Sequence, residues 1–461
     1  MNRFSAFFLS WFISTPAVSG DLLTAVFSDG LSTVNVELCF QGPAPYRLFR
    51  NAQAQDWSDG IFHAQTRLEA RPVDGELRLP RLPANACIQW RANIDAALSR
   101  NDRRLIVKMG DDLIMDADIW FWKGPKSRDL TVKVKLPPGT SFSTPWAAIK
   151  AEDELLTFRP DKTPASWETR IAVGRFELQN IDIPGAQIRV AMTGNLGDRQ
   201  KEKFMLWIRE SVLTVSSVLG YFPQPQPQVL IIPVGRRNQS TPFGLVTRGG
   251  GLAVSLLVDE NRPLKDFTSD WTATHEFSHM LFPYVSSRDR WLSEGLASYY
   301  QNILRARNGR LTESQAWQKL HEGFQRGENG TNGGTLAQAT RDGWQSTMRV
   351  YWSGAALMLK ADMQLRENSG GRQSLDTALK SLAVCCLENG RTWRARELFT
   401  RLDELTGTSI FLDLYNAHVH AEEFPDMQTT WEHLGITIRR DQVSLSDDAP
   451  LAAIRTSIMK G

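Results

Sequence analysis

His275 and His279 stand four residues apart in the tract TATHEFSHMLFPYVSSRDRWLSEGLASYY, with Glu276 directly after the first. On a helix, positions i and i+4 differ by about 40° of rotation and about 6 Å of rise, so both imidazoles project from one face and can reach one metal ion. Glu276 then lies where its carboxylate can take a proton from a water that the metal activates and pass it to a departing amine. The pattern H-E-x-x-H encodes that geometry. The chain supplies its own contrast: His321-Glu322 repeats the first pair, but Gln325 stands where a second histidine would be needed. The flanks Trp-Thr-Ala-Thr and Met-Leu-Phe suit a partly buried helix, where an unsatisfied histidine pair would be costly.

Two histidines do not complete a zinc site, which takes a third protein ligand and leaves one position for water. Glu294, in Arg-Trp-Leu-Ser-Glu-Gly-Leu-Ala-Ser-Tyr-Tyr, is the candidate. The run from Trp291 to Tyr300 is apolar enough to begin a buried helix, so this carboxylate needs a cation. Against these readings stand two bland ones, a hydrogen-bonded core histidine pair and a capping or ion-paired Glu294.

His-Glu-Phe-Ser-His followed by Trp-Leu-Ser-Glu-Gly-x-x-Ser-Tyr-Tyr resembles the gluzincin, or thermolysin-like, metallopeptidases. These include aminopeptidase N, leukotriene-A4 hydrolase and, nearest, the glycyl aminopeptidases. The tail phrase VYWSGAALMLKADMQLRENSGGRQSLD is similar to that of the glycyl branch. The resemblance implies one Zn2+ per chain held by His275, His279 and Glu294, with Glu276 as general base and acid. It implies Tyr351 as the donor that stabilises the oxyanion, and Ser298 as a partner of a ligand histidine. It also implies a substrate-binding edge strand at Gly250, Gly251, Leu252 and Ala253. There the aminopeptidase branches carry a glutamate that grips the substrate's amino group; alanine at 253 leaves exopeptidase or endopeptidase action open. The stretch 280–293 between the second histidine and Glu294 is also shorter than in aminopeptidase-N-like motifs.

The elements that must position these residues fall into an α+β multidomain pattern. Residues 20–167 carry short alternating strands such as STVNVELCF, RLIVKMG and LTVKVKLPPG, separated by Pro, Gly and Asp turns, as in a β-sandwich-like domain. Residues 168–310 are expected to form a thermolysin-like catalytic domain: a helix over Asp198–Phe222, a stiff PQPQPQ connector, buried strands in VLIIPVG and GGGLAVSLLV, then the histidine helix. Residues 311–461 read as helices, with Ser374 as an N-cap before SLDTALKSLAVCC.

Composition sets outer limits. The 461 residues are 42% hydrophobic and 23% charged with a net charge of +2, and the Lys and Arg are scattered, which argues against nucleic acid as a partner. Residues 1–19 read as a signal peptide: Arg3, an apolar run from Phe4 to Ile13, and small residues Ala17 to Gly20 for cleavage. The run is short for a membrane span, so no span is expected once the signal is removed, and the chain is expected in the periplasm or secreted. An oxidising compartment allows a Cys39–Cys87 disulfide, whereas Cys385 and Cys386 are expected as two buried thiols. The expectation is an exported zinc metallopeptidase with a peptide or protein substrate; nothing in the sequence fixes an oligomeric state. The alternatives are a zinc hydrolase of a non-peptide substrate and a catalytically silent peptide-binding relative.

Overall fold

Strict alternation in Asp21–Phe27 and Thr33–Cys39 turns every second side chain inward, so these segments pair as half-buried strands. A computed structural model describes residues 20–461 except 51–56, 71, 153–154, 332 and 388–389; the expected signal, 1–19, lies outside the described residues. Asp21–Phe27 sits inside an eight-stranded sheet, parallel to Leu130–Lys135 and antiparallel to Thr33–Cys39. Cys39 and Cys87 face each other across the next strand pair and are joined, with Cα atoms 4.0 Å apart. Leu23, Val36, Trp90 and Val132 of this sheet share one core with Leu48 and Leu77 of a three-stranded sheet and Met115 and Val173 of a four-stranded one. Sheet packed on sheet is the expected sandwich-like arrangement.

The four-stranded sheet reaches past residue 167, because Arg170–Gly174 pairs with Asp112–Asp116. Ile114 and Ala172 on it pack against Leu230 and Ile232 of a second, five-stranded sheet. That sheet runs Glu177–Ile183, Ala186–Met192, Gln228–Pro233, Ala253–Val258 and Phe243–Thr247, with Phe243–Thr247 at its edge. Its other apolar face, through Val229, Ile231, Val254 and Leu256, shares a core with Phe277, Leu296, Tyr299 and Ala355 of the helices. The helices carrying the sequence motifs therefore belong to one core with the C-terminal helical region.

Two helices cross closely in that core. Arg290–Arg307 carries Glu294 followed by Gly295, and Thr347–Ser369 carries Tyr351 followed three residues later by Gly354. A methyl group on Gly295 would overlap the Cα of Gly354, and one on Gly354 would overlap the carbonyl oxygen of Trp291. Only glycine at both points lets the backbones approach this far, and the approach brings the tyrosine to the glutamate.

Three expectations are corrected. The C-terminal region is not wholly helical: Ile436–Arg439 and Gln442–Leu445 form a hairpin, driven by the alternation Ile-Thr-Ile-Arg, with Arg440 and Asp441 in the left-handed conformation a two-residue turn requires. Cys385 and Cys386, the last two residues of the helix Leu375–Cys386, are joined rather than free, and Cys385 is exposed because it lies on the outer side of the helix end. Gly250–Ala253 is no edge strand: Ala253 is fully buried and pairs with Gln228 on one side and Thr247 on the other. The three glycines before it pack against Pro145, Trp146 and Glu168, where any side chain would collide. Ser374 caps its helix as expected, accepting from the Thr377 amide.

Replacing Gly354 by Ala should destabilise the fold by about 1–3 kcal/mol in urea denaturation. The double variant with Gly295→Ala should cost less than the sum of the two single changes, because the first methyl group already forces the two backbones apart.

Candidate metal centre and active site

The helix Thr272–Ser278 is buried along its whole length, so its sequence shows no polar face, and His279 continues from it into a tighter 3₁₀ turn. His275 and His279 project together, with ring centres 5.0 Å apart. The short stretch 280–293 turns through a second 3₁₀ segment at Ser287–Asp289 and delivers Glu294 one turn into its helix. Glu294 Oε2 lies 3.3 Å from His275 Nε2 and 3.5 Å from His279 Nε2, and one ligand atom from each residue falls within 4.8 Å of the others.

The remote ring nitrogens are held as well. His275 Nδ1 is 2.8 Å from Gln301 Oε1, and His279 Nδ1 is 2.9 Å from Ser293 Oγ. An Nδ1–H donating to each oxygen leaves both Nε2 lone pairs facing the glutamate, the tautomer a metal ligand needs. Ser298 makes neither contact; it is buried on the same helix, but Gln301 and Ser293 lie at the turns that face the histidines. Sequence reasoning missed both, because only the packing of the two helices reveals which turn meets an imidazole.

Burial pushes the Glu276 carboxyl up to about 7, and the nearby Glu294 charge adds to the rise. Burial alone would also raise Glu294, but the two imidazoles beside it hold its carboxyl at about 2. Burial lowers His279 to about 4, against the opposing pull of the Glu294 carboxylate. Tyr351 stacks on His275 with ring centres 5.7 Å apart, and burial together with the Glu294 carboxylate raises its phenol. It stays a hydrogen-bond donor at any working pH.

These groups open onto a cleft of about 470 Å³ lined by the edge strand, His275, Glu276, His279, Glu294, Arg290 and Tyr351. The strand passes directly beside the buried carboxylate, since a Cβ on Gly244 would stand 2.5 Å from Glu276 Cγ. Phe243–Thr247 is therefore the strand that an extended chain would meet, in place of the one expected at Gly250–Ala253. It reads Phe-Gly-Leu-Val-Thr, so it too lacks the glutamate of the aminopeptidase branches. Five residues flanked by a proline and a run of glycines gave little sign of a strand.

The M61 glycyl aminopeptidase family matches residues 282–357, the span from Phe282 through Glu294 to just beyond Tyr351. An aminopeptidase N family protein from Idiomarina loihiensis superposes with a TM-score of 0.70 at 13% identity, covering 91% of this chain and 79% of its own. Residues 282–357 are thus similar to the glycyl aminopeptidase branch that the motifs resemble, and the fold is that of these zinc-peptidase structures. An M1 zinc metallopeptidase from Deinococcus radiodurans gives 0.57 at 15% identity, covering 88% of this chain and 94% of its own. Yeast LTA4 hydrolase in complex with bestatin gives 0.56 at 12%, covering 89% and 68%. Among curated proteins no sequence match is found. The fold shared with these structures is a sheet-rich N-terminal part followed by the strand-and-helix unit and a helical region.

The raised Glu276 carboxyl has a consequence for stability. In the metal-free protein it keeps its proton up to about pH 7, whereas an unfolded glutamate releases it near 4.5. The folded state then binds more protons across that window, and stability falls as pH rises through it. Urea melts of the chelated protein should show Glu276→Gln gaining on the wild type between pH 4.5 and 7.

Proposed function

We propose that this chain is an exported zinc-dependent metallopeptidase that hydrolyses peptide bonds. The observation that carries the reading is the convergence of His275, His279 and Glu294 within 4.8 Å, in one cleft with a buried Glu276 and a tyrosine. Two nitrogens and one carboxylate oxygen form a donor set suited to catalytic zinc, and both histidines have their outer nitrogens engaged as such ligands require. Export is supported by the N-terminal sequence pattern and by the Cys39–Cys87 disulfide, a bond typical of oxidising compartments. Among the described residues no helix is long and apolar enough to cross a membrane.

Zinc held by these three residues would acidify a water and polarise a peptide carbonyl. The protein's own groups do the rest. Phe243–Thr247 offers an unpaired strand edge that fixes an extended substrate by main-chain hydrogen bonds. Glu276, buried beside the histidine ligand, removes a proton from the attacking water and returns it to the leaving amine. The Tyr351 hydroxyl donates to the oxygen on which negative charge develops.

Purified protein should carry about one zinc per chain by elemental analysis and cleave a quenched peptide library. Glu276→Gln should keep the metal and lose hydrolysis; hydrolysis at the wild-type rate in that variant would remove the mechanism. Gln301→Ala or Ser293→Ala should weaken zinc affinity about 10- to 100-fold in competition with a chelator, since each takes away the partner that orients a ligand.

A further inference from the structure

Arg248 follows the edge strand directly and lines the cleft. Its Nη2 donates to the main-chain oxygens of His279 at 2.7 Å and Phe282 at 3.3 Å, and the guanidinium carbon stands 6.0 Å from the centre of the Tyr284 ring. Among the described residues no carboxylate pairs with it, and its remaining donors make no hydrogen bond. Arg290, at the start of the Glu294 helix, lines the same cleft. Its Nη2 donates to the Gly343 oxygen at 2.7 Å, while its Nε is buried without a partner.

The acids of the cleft are already engaged. Glu294 faces the two histidines, Glu276 is the buried base, and Glu168 pairs with Arg170. Two guanidinium groups therefore line the cleft, and among the described residues their hydrogen bonds go to main-chain oxygens alone. A desolvated cation in this state gains most from an arriving carboxylate, which accepts charge-assisted and often bidentate hydrogen bonds from arginine. An amide or an alkyl side chain offers no such gain.

We propose that Arg248, with Arg290 as a second cation, makes the cleft select peptides that bring a carboxylate to it. The carboxylate is either the free C-terminus of a short peptide or an Asp or Glu side chain of a longer one. The inference rests on the peptidase reading above and names its substrate class. It also accounts for a substrate strand without an acidic residue: the charge provided for recognition is positive, so the group gripped is an anion rather than an amine.

The test measures binding in the zinc-loaded Glu276→Gln protein by calorimetry. The probes are a neutral N-acetylated pentapeptide as free acid and as C-terminal amide, and amide versions with Glu or Gln at one internal position at a time. One acidic member should bind about tenfold tighter than its neutral twin. The free-acid pair identifies the C-terminus as the source, and a Glu/Gln pair identifies the side chain. Adding Arg248→Gln should bring that ratio close to one, while Arg288→Gln, an exposed neighbour outside the cleft, should leave it unchanged. Equal binding of every acidic and neutral pair overturns the proposal without recourse to any arginine variant, as does a preference that survives both Arg248→Gln and Arg290→Gln. The same peptides offered to the wild type separate the two readings: discrimination in binding with no hydrolysis strikes the peptidase assignment alone, and hydrolysis without discrimination strikes this one.

Discussion

The close crossing of two helices at Gly295 and Gly354 is the constraint on which the site depends. Without side chains at the contact, the backbones approach until a methyl group on either residue would collide with the other helix. Glu294 and Tyr351 sit immediately beside that crossing, so the same contact that packs the core sets the distance between the proposed ligand and the proposed oxyanion donor. It also explains why each functional residue travels with a glycine, Glu-Gly in one helix and Tyr-x-x-Gly in the other. The glycines give up helix propensity, each about 1 kcal/mol relative to alanine, in exchange for that geometry.

A second constraint acts on the opposite wall. Gly244 lets the edge strand run within van der Waals reach of Glu276, so the base is buried between a helix and a strand. Burial raises its carboxyl to about 7, and the neighbouring imidazoles hold Glu294 near 2. Two glutamates in one cleft are thus pushed in opposite directions, one toward holding its proton and one toward losing it, as the proposed base and ligand require. The difference arises from neighbours, not from residue type.

How much of this was legible in the sequence follows from the range of each interaction. His275, Glu276 and His279 lie within one helical turn, so their spacing alone implied a shared face. Glu294 and Tyr351 are remote but embedded in distinctive phrases, and the glycines that make those phrases distinctive turn out to be the packing contact. Gln301 and Ser293 were not legible, since only the rotational setting of one helix against another decides which turn meets an imidazole. The edge strand was misplaced for a related reason. Ala253 lies in a strongly apolar run, the mark of an interior strand, while the true edge at Phe243–Thr247 is short, half exposed and framed by loop residues. Arg248 gave no signal at all, because an arginine is notable only once its surroundings are known to hold no acid for it. The alternation of the N-terminal strands was read directly, and the hairpin at Ile436–Leu445 was lost among helices although it obeys the same period.

The central claim is that one zinc ion is held by His275, His279 and Glu294, and anomalous diffraction from crystals of the purified protein, recorded on both sides of the zinc absorption edge, tests it most directly. A single peak is expected at about 2.0–2.2 Å from the Nε2 atoms of the two histidines and from a Glu294 carboxylate oxygen. A crystal with these three side chains ordered and no peak between them, or with its zinc bound elsewhere, would contradict it.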